Sequence, residues 1–173
     1  FCFFYMYNVQ RSAELPPAGR GATVPEARGV DEILAAVAAS DWNGHIPWQA
    51  WRPGLGEELS RRGYTVYVDF TATWCVTCQT NKATALEINS TRAKLREMGV
   101  IPLKADYTKQ DPVIRERLLA FGHNSVPLNL IYPAGRPADV IKLPVLLTSG
   151  IVVEALDQAG PSKTRGATPA GDR

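Results

Sequence analysis

The sequence is short of the residues that build metal centres and disulfide frameworks. Its 173 residues include three cysteines and two histidines. Two of the cysteines share one short motif, which excludes the cysteine-dense scaffold of small secreted domains and leaves the redox compartment open. A zinc site would need four ligands. Beyond the paired cysteines, the candidate ligands are scattered along the chain: Cys2, His45 and His123.

The chain also carries little net charge and no basic surface pattern. Its formal net charge is +2, and no stripe of Lys and Arg with interleaved aromatic residues is visible. Proteins that bind DNA or RNA concentrate positive charge in that way, so we expect no nucleic-acid partner. No internal repeat is visible, and a chain of this length holds one domain of ordinary size with tails.

Residues 1–7 are apolar and aromatic but far too few to cross a bilayer, which takes about 20 residues. They lack the basic start and the small-residue cleavage site of a secretory signal peptide. Aromatic side chains gather where transmembrane helices reach the membrane interface. We therefore expect residues 1–7 to be the end of a transmembrane helix. The alternatives are an expression remnant and a strand that packs on the domain.

Composition divides the rest of the chain into a linker, a domain and a tail. Residues 8–44 are predicted to be a linker, because Pro and Gly recur there among small and charged residues. Within it, residues 31–40 predict a short helix with Asp31 as its N-cap. The folded domain is predicted to span residues 45–159. The polar segment 160–173 is predicted to be a disordered tail.

Strands and helices alternate through the predicted domain. Strands are predicted from β-branched and aromatic runs at residues 48–51, 65–70, 100–107, 127–132 and 138–143. Helices are predicted at residues 53–62, 79–89, 91–98 (capped by Ser90), 111–121 and 149–158. This alternation predicts an α/β fold with a mixed central sheet and helices on both faces.

A pair of cysteines three residues apart lies where the strand 65–70 gives way to a helix. This places Cys75 at the helix N-terminus and Cys78 about one turn further, with Cα atoms roughly 4.4–6.8 Å apart, as a disulfide requires. Unpaired N–H groups and the helix dipole favour a thiolate at Cys75, with a pKa lowered from about 8.5 toward ~3.5–7.5. We expect Cys75 to face solvent as the nucleophile and Cys78 to lie beneath it as the resolving thiol. Half a zinc site and a purely structural disulfide stay open, although so short a loop gives a disulfide little entropic stabilisation.

Several motifs occur in the order and spacing of the thioredoxin pattern: Val68-Asp69-Phe70, Trp74-Cys75-x-x-Cys78 and Val126-Pro127. A further set narrows the match: Trp48-x-x-Trp51-x-Pro53, Leu103-Lys104-Ala105-Asp106-x-Thr108-x-x-Asp111-Pro112, Phe121-Gly122 and Leu143-Pro144-x-x-Leu147-Thr148. Over roughly residues 46–159, the chain resembles the C-terminal thioredoxin-like domain of the DsbD/ScsB family of membrane thiol:disulfide interchange proteins. The resemblance implies a thioredoxin fold.

The resemblance also implies a function. In this family a membrane-embedded domain takes electrons from cytoplasmic thioredoxin, and the C-terminal domain receives them outside the inner membrane. That domain passes them to periplasmic thiol-disulfide proteins, which supports disulfide isomerisation, cytochrome c maturation or copper tolerance. We therefore expect a protein-disulfide reductase domain at the periplasmic face of the bacterial inner membrane, joined to an upstream membrane domain and using no cofactor or metal. The alternatives are a stand-alone thioredoxin-like oxidoreductase, a dithiol that binds copper(I), and an adaptor that kept the fold without the chemistry.

Roles for individual residues follow from the same resemblance. Cys75 would attack the partner's disulfide, and Cys78 would resolve the mixed disulfide. Asp69 matches the family's buried carboxylate, whose raised pKa would let it shuttle the proton of Cys78. The alternative for Asp69 is a carboxylate at a strand end that binds the backbone. Lys104 could face Asp69 from the neighbouring strand.

The predicted substrate-binding residues are Trp74, Val126 and Pro127. Trp74 would form an apolar rim beside Cys75, and its alternative is simple packing in the core. The Val126–Pro127 bond matches the family's cis proline. A cis bond would expose the backbone of Val126 to pair with a strand of the substrate.

One position departs from the family pattern. Domains of the DsbD type often carry a glutamate four residues after the second cysteine, where this chain has Lys82. Glu87 is too far along the helix to replace it. A lysine favours a thiolate rather than proton storage. The sequence therefore leaves the reduction potential open within roughly −270 to −120 mV.

Overall fold

The computed structural model of the chain describes residues 28–163. The predicted membrane-helix end at 1–7, the first part of the linker and the last ten residues lie outside the described residues. The strands are β1 (Gln49–Ala50), β2 (Val66–Thr71), β3 (Ile101–Asp106), β4 (Leu128–Tyr132) and β5 (Ile141–Lys142). The helices are α1 (Val30–Ala39), α2 (Leu55–Arg61), α3 (Val76–Asn81), a π-helical turn (Lys82–Leu86), α4 (Asn89–Glu97), α5 (Pro112–Ala120) and α6 (Ser149–Ala159). Between positions 28 and 163, no helix is long and apolar enough to cross a membrane.

The five strands form one mixed sheet in the order β1-β3-β2-β4-β5. Strands β1, β3 and β2 run parallel, β4 runs antiparallel to β2, and β5 runs antiparallel to β4. Helix α2 lies against β2 and β4, and an ion pair between Arg117 and Glu57 joins it to α5. Helix α6 contacts α4 and the π-helical turn. The predicted mixed sheet with helices on both faces is confirmed.

Strand β2 lies at the centre of the sheet, and all six of its residues are buried. Successive side chains of a strand point to opposite faces. Val66 pairs in register with Tyr132, whose ring meets Gly56 of α2, so this face of β2 looks toward α2. The alternate residues Tyr67 and Asp69 therefore face the layer formed by α3, the π-helical turn, α4 and α6.

Pro102 lies inside β3, although proline is usually confined to edges or ends of strands. Strand β1 pairs only with Leu103 and Lys104. The backbone N–H of Ile101 donates to Thr65, just before β2, so the nitrogen of Pro102 points to the opposite side of β3, toward β1. Because β1 does not extend as far as Pro102, no hydrogen bond to β1 is lost there.

The helix that carries the cysteine pair differs from the prediction in length and shape. It begins at Val76 and changes at Lys82 into the π-helical turn, so the predicted helix over 79–89 is replaced by two shorter segments. Helix α4 then begins at Asn89 with Ile88 as its N-cap, and the predicted cap at Ser90 is wrong.

Both ends of the described chain are held by the domain. Helix α1 forms within the segment assigned to the linker, and it buries Val30, Ile33 and Val37 in the main core. At the other end, the backbone N–H groups of Ser162 and Lys163 donate to Met98 and Gly63. The predicted disorder is therefore wrong for residues 160–163, because these hydrogen bonds fix the chain against the domain.

Candidate active site

The two paired cysteines meet at the start of α3, directly after the end of β2. Cys75 is the N-cap of the helix, and Cys78 lies in its first turn. They form a disulfide with Cα atoms 5.3 Å apart, inside the range that the sequence predicted. The backbone N–H of Cys78 donates to Sγ of Cys75 at 3.2 Å. In the reduced protein the same donor would stabilise a thiolate at Cys75.

Cys75 is more buried than predicted. Its exposed fraction is 7%, and that of Cys78 is 2%. Cys75 is therefore the more exposed of the two cysteines, as predicted. The expectation that Cys75 faces solvent is wrong for the oxidised state, because the disulfide and the backbone amide of Cys78 hold its Sγ against the first turn of the helix. The exposed surface belongs instead to its neighbours Trp74 and Val76, which are 49% and 78% exposed.

Trp74 lies at the surface beside the disulfide and not in the core, so the core-packing alternative is wrong. Its Nε1–H donates to the carbonyl oxygen of Thr108 at 3.1 Å. Its ring stands edge-on to that of Tyr107, with centroids 6.3 Å apart. The indole is thus fixed in place and presents an apolar face next to Cys75.

Thr108 also holds the backbone just before the cysteines. Its Oγ1 accepts a hydrogen bond from the backbone N–H of Thr73 at 3.0 Å. Asp106 accepts from both the N–H and the hydroxyl of Thr108, which fixes this loop. Burial raises the pKa of Asp106, but these hydrogen bonds together with the positive charges of Lys104 and Lys82 hold the pKa below its ordinary value. The motif Asp106-x-Thr108 was visible in the sequence, which gave no role to either residue.

Asp69 lies two residues before the end of β2 and is 3% exposed. Its Oδ2 has no hydrogen-bond partner. Desolvation by burial raises the pKa of Asp69 from 3.8 to about 6, although the positive charges of Lys82 and Lys104 oppose the rise. The predicted burial and raised pKa are confirmed, and no backbone group binds this Oδ2. Lys104 is the register partner of Asp69 across β2 and β3, as expected.

A second acid also acts on Asp69. The negative charge of Glu87 contributes to the raised pKa of Asp69, as the smallest of its causes. The two oxygens of Glu87 accept from the backbone N–H of Ile46 and the indole N–H of Trp48, both at 2.9 Å. The sequence placed Glu87 too far along the helix to replace the family's glutamate, and the fold brings its charge within electrostatic reach of Asp69.

Asp69 shares its face of the sheet with two other buried polar side chains. Tyr67 donates its hydroxyl to Oδ1 of Asn129 at 2.9 Å. Burial, and then the charge of Asp69, raise the pKa of Tyr67 well above its ordinary value of 10.0. Tyr67 therefore stays neutral, and Asp69 is the group on this face whose proton can exchange near neutral pH.

The Val126–Pro127 peptide bond is cis, as predicted. Pro127 directly precedes β4, whose first residue Leu128 pairs with Phe70 of β2. Because β2 and β4 are antiparallel, the start of β4 lies at the same end of the sheet as the cysteines. The structure therefore brings all six predicted site residues to this end of the sheet, and their individual roles stay predictions.

Two other kinds of binding site, a metal centre and a cavity, do not coincide with the cysteine pair in the described part of the chain. In the segment 28–163, no three His, Cys, Asp or Glu side chains lie close enough together to hold a metal ion. An open cavity of 270 Å³ lies between the loop that contains Trp42 and helix α4, and none of the predicted site residues lines it. Cys75 and Cys78 therefore lie outside this cavity.

Residues 47–134 match a family model described as thioredoxin-like. No curated protein matches the chain. The oxidised C-terminal domain of Neisseria meningitidis DsbD is similar in structure, with 18% identity, a TM-score of 0.52, and coverage of 65% of this chain and 98% of that domain. For its reduced form the identity is 16%, the TM-score 0.51, and the coverage 64% and 99%. At such low identity these likenesses show the fold alone, which is the fold that the sequence predicted.

Proposed function

This chain belongs to the thioredoxin-like family, and we propose that it is a protein-disulfide reductase domain that relays electrons by dithiol–disulfide exchange. The observation that carries the proposal is the cysteine pair itself. Cys75 caps α3 and accepts the amide N–H of Cys78, while the buried carboxyl of Asp69 lies on the adjacent strand. A nucleophile favoured as thiolate, a resolving thiol and a proton acceptor are what reductive exchange needs.

The exchange proceeds in two steps. In the reduced domain, the thiolate of Cys75 attacks one sulfur of the partner's disulfide, forms a mixed disulfide and releases the partner's other sulfur as a thiolate. Cys78 then loses its proton and attacks Sγ of Cys75, which forms the intramolecular disulfide and releases the partner's second thiolate. Two electrons pass from the domain to the partner.

Asp69 is proposed as the acceptor of the proton that Cys78 loses. A general base works best when its pKa lies near the operating pH. The pKa of about 6 for Asp69 meets this condition better than the ordinary value of 3.8. Lys82 and Lys104 keep the carboxyl from becoming more basic still, since their positive charges favour its ionised form.

We propose that the electrons come from a membrane-embedded redox domain upstream in the same polypeptide. Periplasmic thiol-disulfide proteins would receive them at the periplasmic face of the inner membrane. The support is the set of sequence motifs that resembles the DsbD/ScsB family, together with a fold similar to that of a DsbD C-terminal domain. Trp74 and the Val126–Pro127 loop would contact the partner.

The reduction potential of the Cys75–Cys78 couple tests the proposed direction of electron flow. The protein is equilibrated in dithiothreitol and glutathione buffers, and its free thiols are counted after alkylation. A value well below about −200 mV supports an electron donor. A value near about −120 mV means an oxidant and overturns the proposal. The Cys78→Ser variant, which cannot form the couple, is the control.

A further inference from the structure

We propose that the hydroxyl of Thr71 relays the proton of Cys78 to the carboxyl of Asp69. The inference rests on the proposed function, because it concerns the step in which Cys78 resolves the mixed disulfide. No sequence motif assigned a role to Thr71.

Thr71 is a buried polar residue whose hydroxyl is unpaired. It is the last residue of β2 and is 1% exposed. Its Oγ1 and the Oδ2 of Asp69 are two of the three buried side-chain atoms without a hydrogen-bond partner in residues 28–163, and the third belongs to Arg117 on α5. Buried polar groups in folded proteins almost always have a partner. Two exceptions on one strand therefore indicate a use other than stability.

The two unpaired atoms lie on the same face of the sheet. Successive side chains of a strand point to opposite faces, so Thr71, two residues after Asp69, points with it toward the layer that contains α3. At the rise of a strand, their Cα atoms are about 6.6 Å apart. Ala72, the next residue, accepts hydrogen bonds from the N–H of Cys75 at 3.2 Å and the side-chain amide of Gln79 at 3.0 Å. Thr71 therefore lies between Asp69 and the turn that carries the dithiol.

A threonine hydroxyl donates one hydrogen bond and accepts others at the same time, which is what a proton relay requires. In the mixed disulfide, Cys78 is a free thiol. Its S–H proton passes to Oγ1 of Thr71 while the hydroxyl proton of Thr71 passes to the ionised carboxyl of Asp69. Cys78 becomes the thiolate that attacks Sγ of Cys75. Thr71 ends as a neutral hydroxyl, and Asp69 holds the proton.

The charged groups around Asp69 keep its carboxyl ready to accept this proton. Burial raises the pKa of Asp69 to about 6, Glu87 adds to the rise, and Lys82 and Lys104 oppose it. Tyr67, on the same face of β2, stays neutral because burial and Asp69 raise its pKa well above 10.0. Asp69 is therefore the base at the end of the relay, and the relay should stop when Asp69 is protonated below about pH 6.

The resolving step can be followed separately with one equivalent of 5,5′-dithiobis(2-nitrobenzoate). The reduced chain first forms a mixed disulfide at Cys75 and releases one thionitrobenzoate, and the attack of Cys78 then releases a second. Stopped-flow absorbance gives the rate constant of the second release between pH 5 and pH 9. All proteins carry Cys2→Ser, which leaves the pair as the only thiols of the chain. Cys78→Ser should lack the second release and thereby identifies it.

We expect Thr71→Val to slow the second release at pH 7 by at least about 10-fold, since general base catalysis contributes ~10²–10⁴-fold. Its rate should keep rising with pH toward about 8.5, where an ordinary thiol ionises. In the unaltered chain, the rate should instead level off above about pH 6. Thr71→Ser should restore both the rate and the profile. The double variant Thr71→Val/Asp69→Asn should be no slower than either single variant, because the two residues act in one relay.

Thr65→Val is the matched control. Thr65 is another buried threonine, directly before β2 at the end remote from the dithiol, and its Oγ1 donates to the carbonyl oxygen of Gly160 at 2.7 Å. Thr65→Val should lower the urea midpoint of the oxidised protein and leave the second release unchanged. Thr71→Val should not lower the midpoint, because a methyl group replaces a hydroxyl that has no partner.

Two results would overturn the inference. The first is an unchanged second release in Thr71→Val, and a slower release in Asp69→Asn would then show that the proton acceptor works without Thr71. The second is a urea midpoint that falls as far in Thr71→Val as in Thr65→Val, which would assign the hydroxyl to structural hydrogen bonding. If the unaltered chain gives no second release, the proposed function itself fails, and this result is distinct from both.

Discussion

Replacing Asp69 by asparagine should remove a pH dependence of stability that the buried carboxyl imposes. Burial raises the pKa of Asp69 from 3.8 to about 6, so the folded chain keeps a proton that the unfolded chain has already lost. The free energy of unfolding therefore falls as the pH rises from 3.8 through about 6, and it levels off above that. The difference between the two values corresponds to about 3 kcal/mol.

The asparagine has no proton to lose, so its contribution to stability stays constant over this range. Relative to the unaltered chain, Asp69→Asn should gain stability between pH 4 and pH 8. The gain approaches about 3 kcal/mol, less the cost of about 1–3 kcal/mol if the new amide finds no partner. That cost is the same at every pH and does not alter the slope.

Urea unfolding of the oxidised protein at a series of pH values measures this slope. Asp139→Asn is the control, because Asp139 lies at the surface with 61% of its side chain exposed, and this variant should keep the slope of the unaltered chain. A constant difference in stability between Asp69→Asn and the unaltered chain at every pH would refute the reasoning. In the same variant, reductive exchange at pH 7 should slow because the proton acceptor is lost, and an unchanged rate would remove Asp69 from the mechanism.

Three further changes have defined outcomes. Cys78→Ser should trap partner proteins on Cys75 as mixed disulfides visible on non-reducing gels, and failure to trap any would argue against Cys75 as the nucleophile. Thr108→Val should lower the free energy of unfolding in urea by about 1–2 kcal/mol and slow the reduction of insulin, because the lost hydroxyl makes two hydrogen bonds. Thr108→Ser keeps the hydroxyl and should restore both the stability and the rate. Gly56→Ala should cost about 1–3 kcal/mol, because the new Cβ would lie 2.9 Å from the buried ring of Tyr132. Equal melting temperatures for Gly56→Ala and the unaltered chain would contradict this packing.

The features that the sequence predicted are those encoded over a few neighbouring residues. The run at 65–70 is apolar because β2 is buried on both faces, and such a run is readable without a partner. Asp111-Pro112 predicted the start of α5, where Asp111 accepts from the N–H of Val113. Two cysteines three residues apart after a strand predicted a dithiol at a helix N-terminus, because one turn of helix alone sets their separation.

Predictions failed where a residue's state depends on distant parts of the chain. The predicted exposure of Cys75 is too high, because the spacing of the two cysteines does not show how far the folded disulfide buries the sulfur of Cys75. Residues 160–163 were predicted to be disordered from composition, yet their hydrogen bonds reach Gly63 and Met98. The π-helical turn at Lys82–Leu86 has no sequence pattern that distinguishes it from an α-helix.

By itself the sequence determined the cysteine pair, the central strand and the order of helices and strands, because local periodicity and spacing encode each of them. Only the tertiary structure decided the surroundings of the dithiol. Burial raises the pKa of Asp69, and the charges that adjust it come from Lys82 and Glu87 at the two ends of the π-helical turn and from Lys104 on β3. The hydrogen bond between Trp74 and Thr108 joins residues 34 positions apart, and the one between Asn81 and Val145 joins residues 64 positions apart. Contacts over such separations follow from strand register and helix packing, which arise only when the whole core assembles.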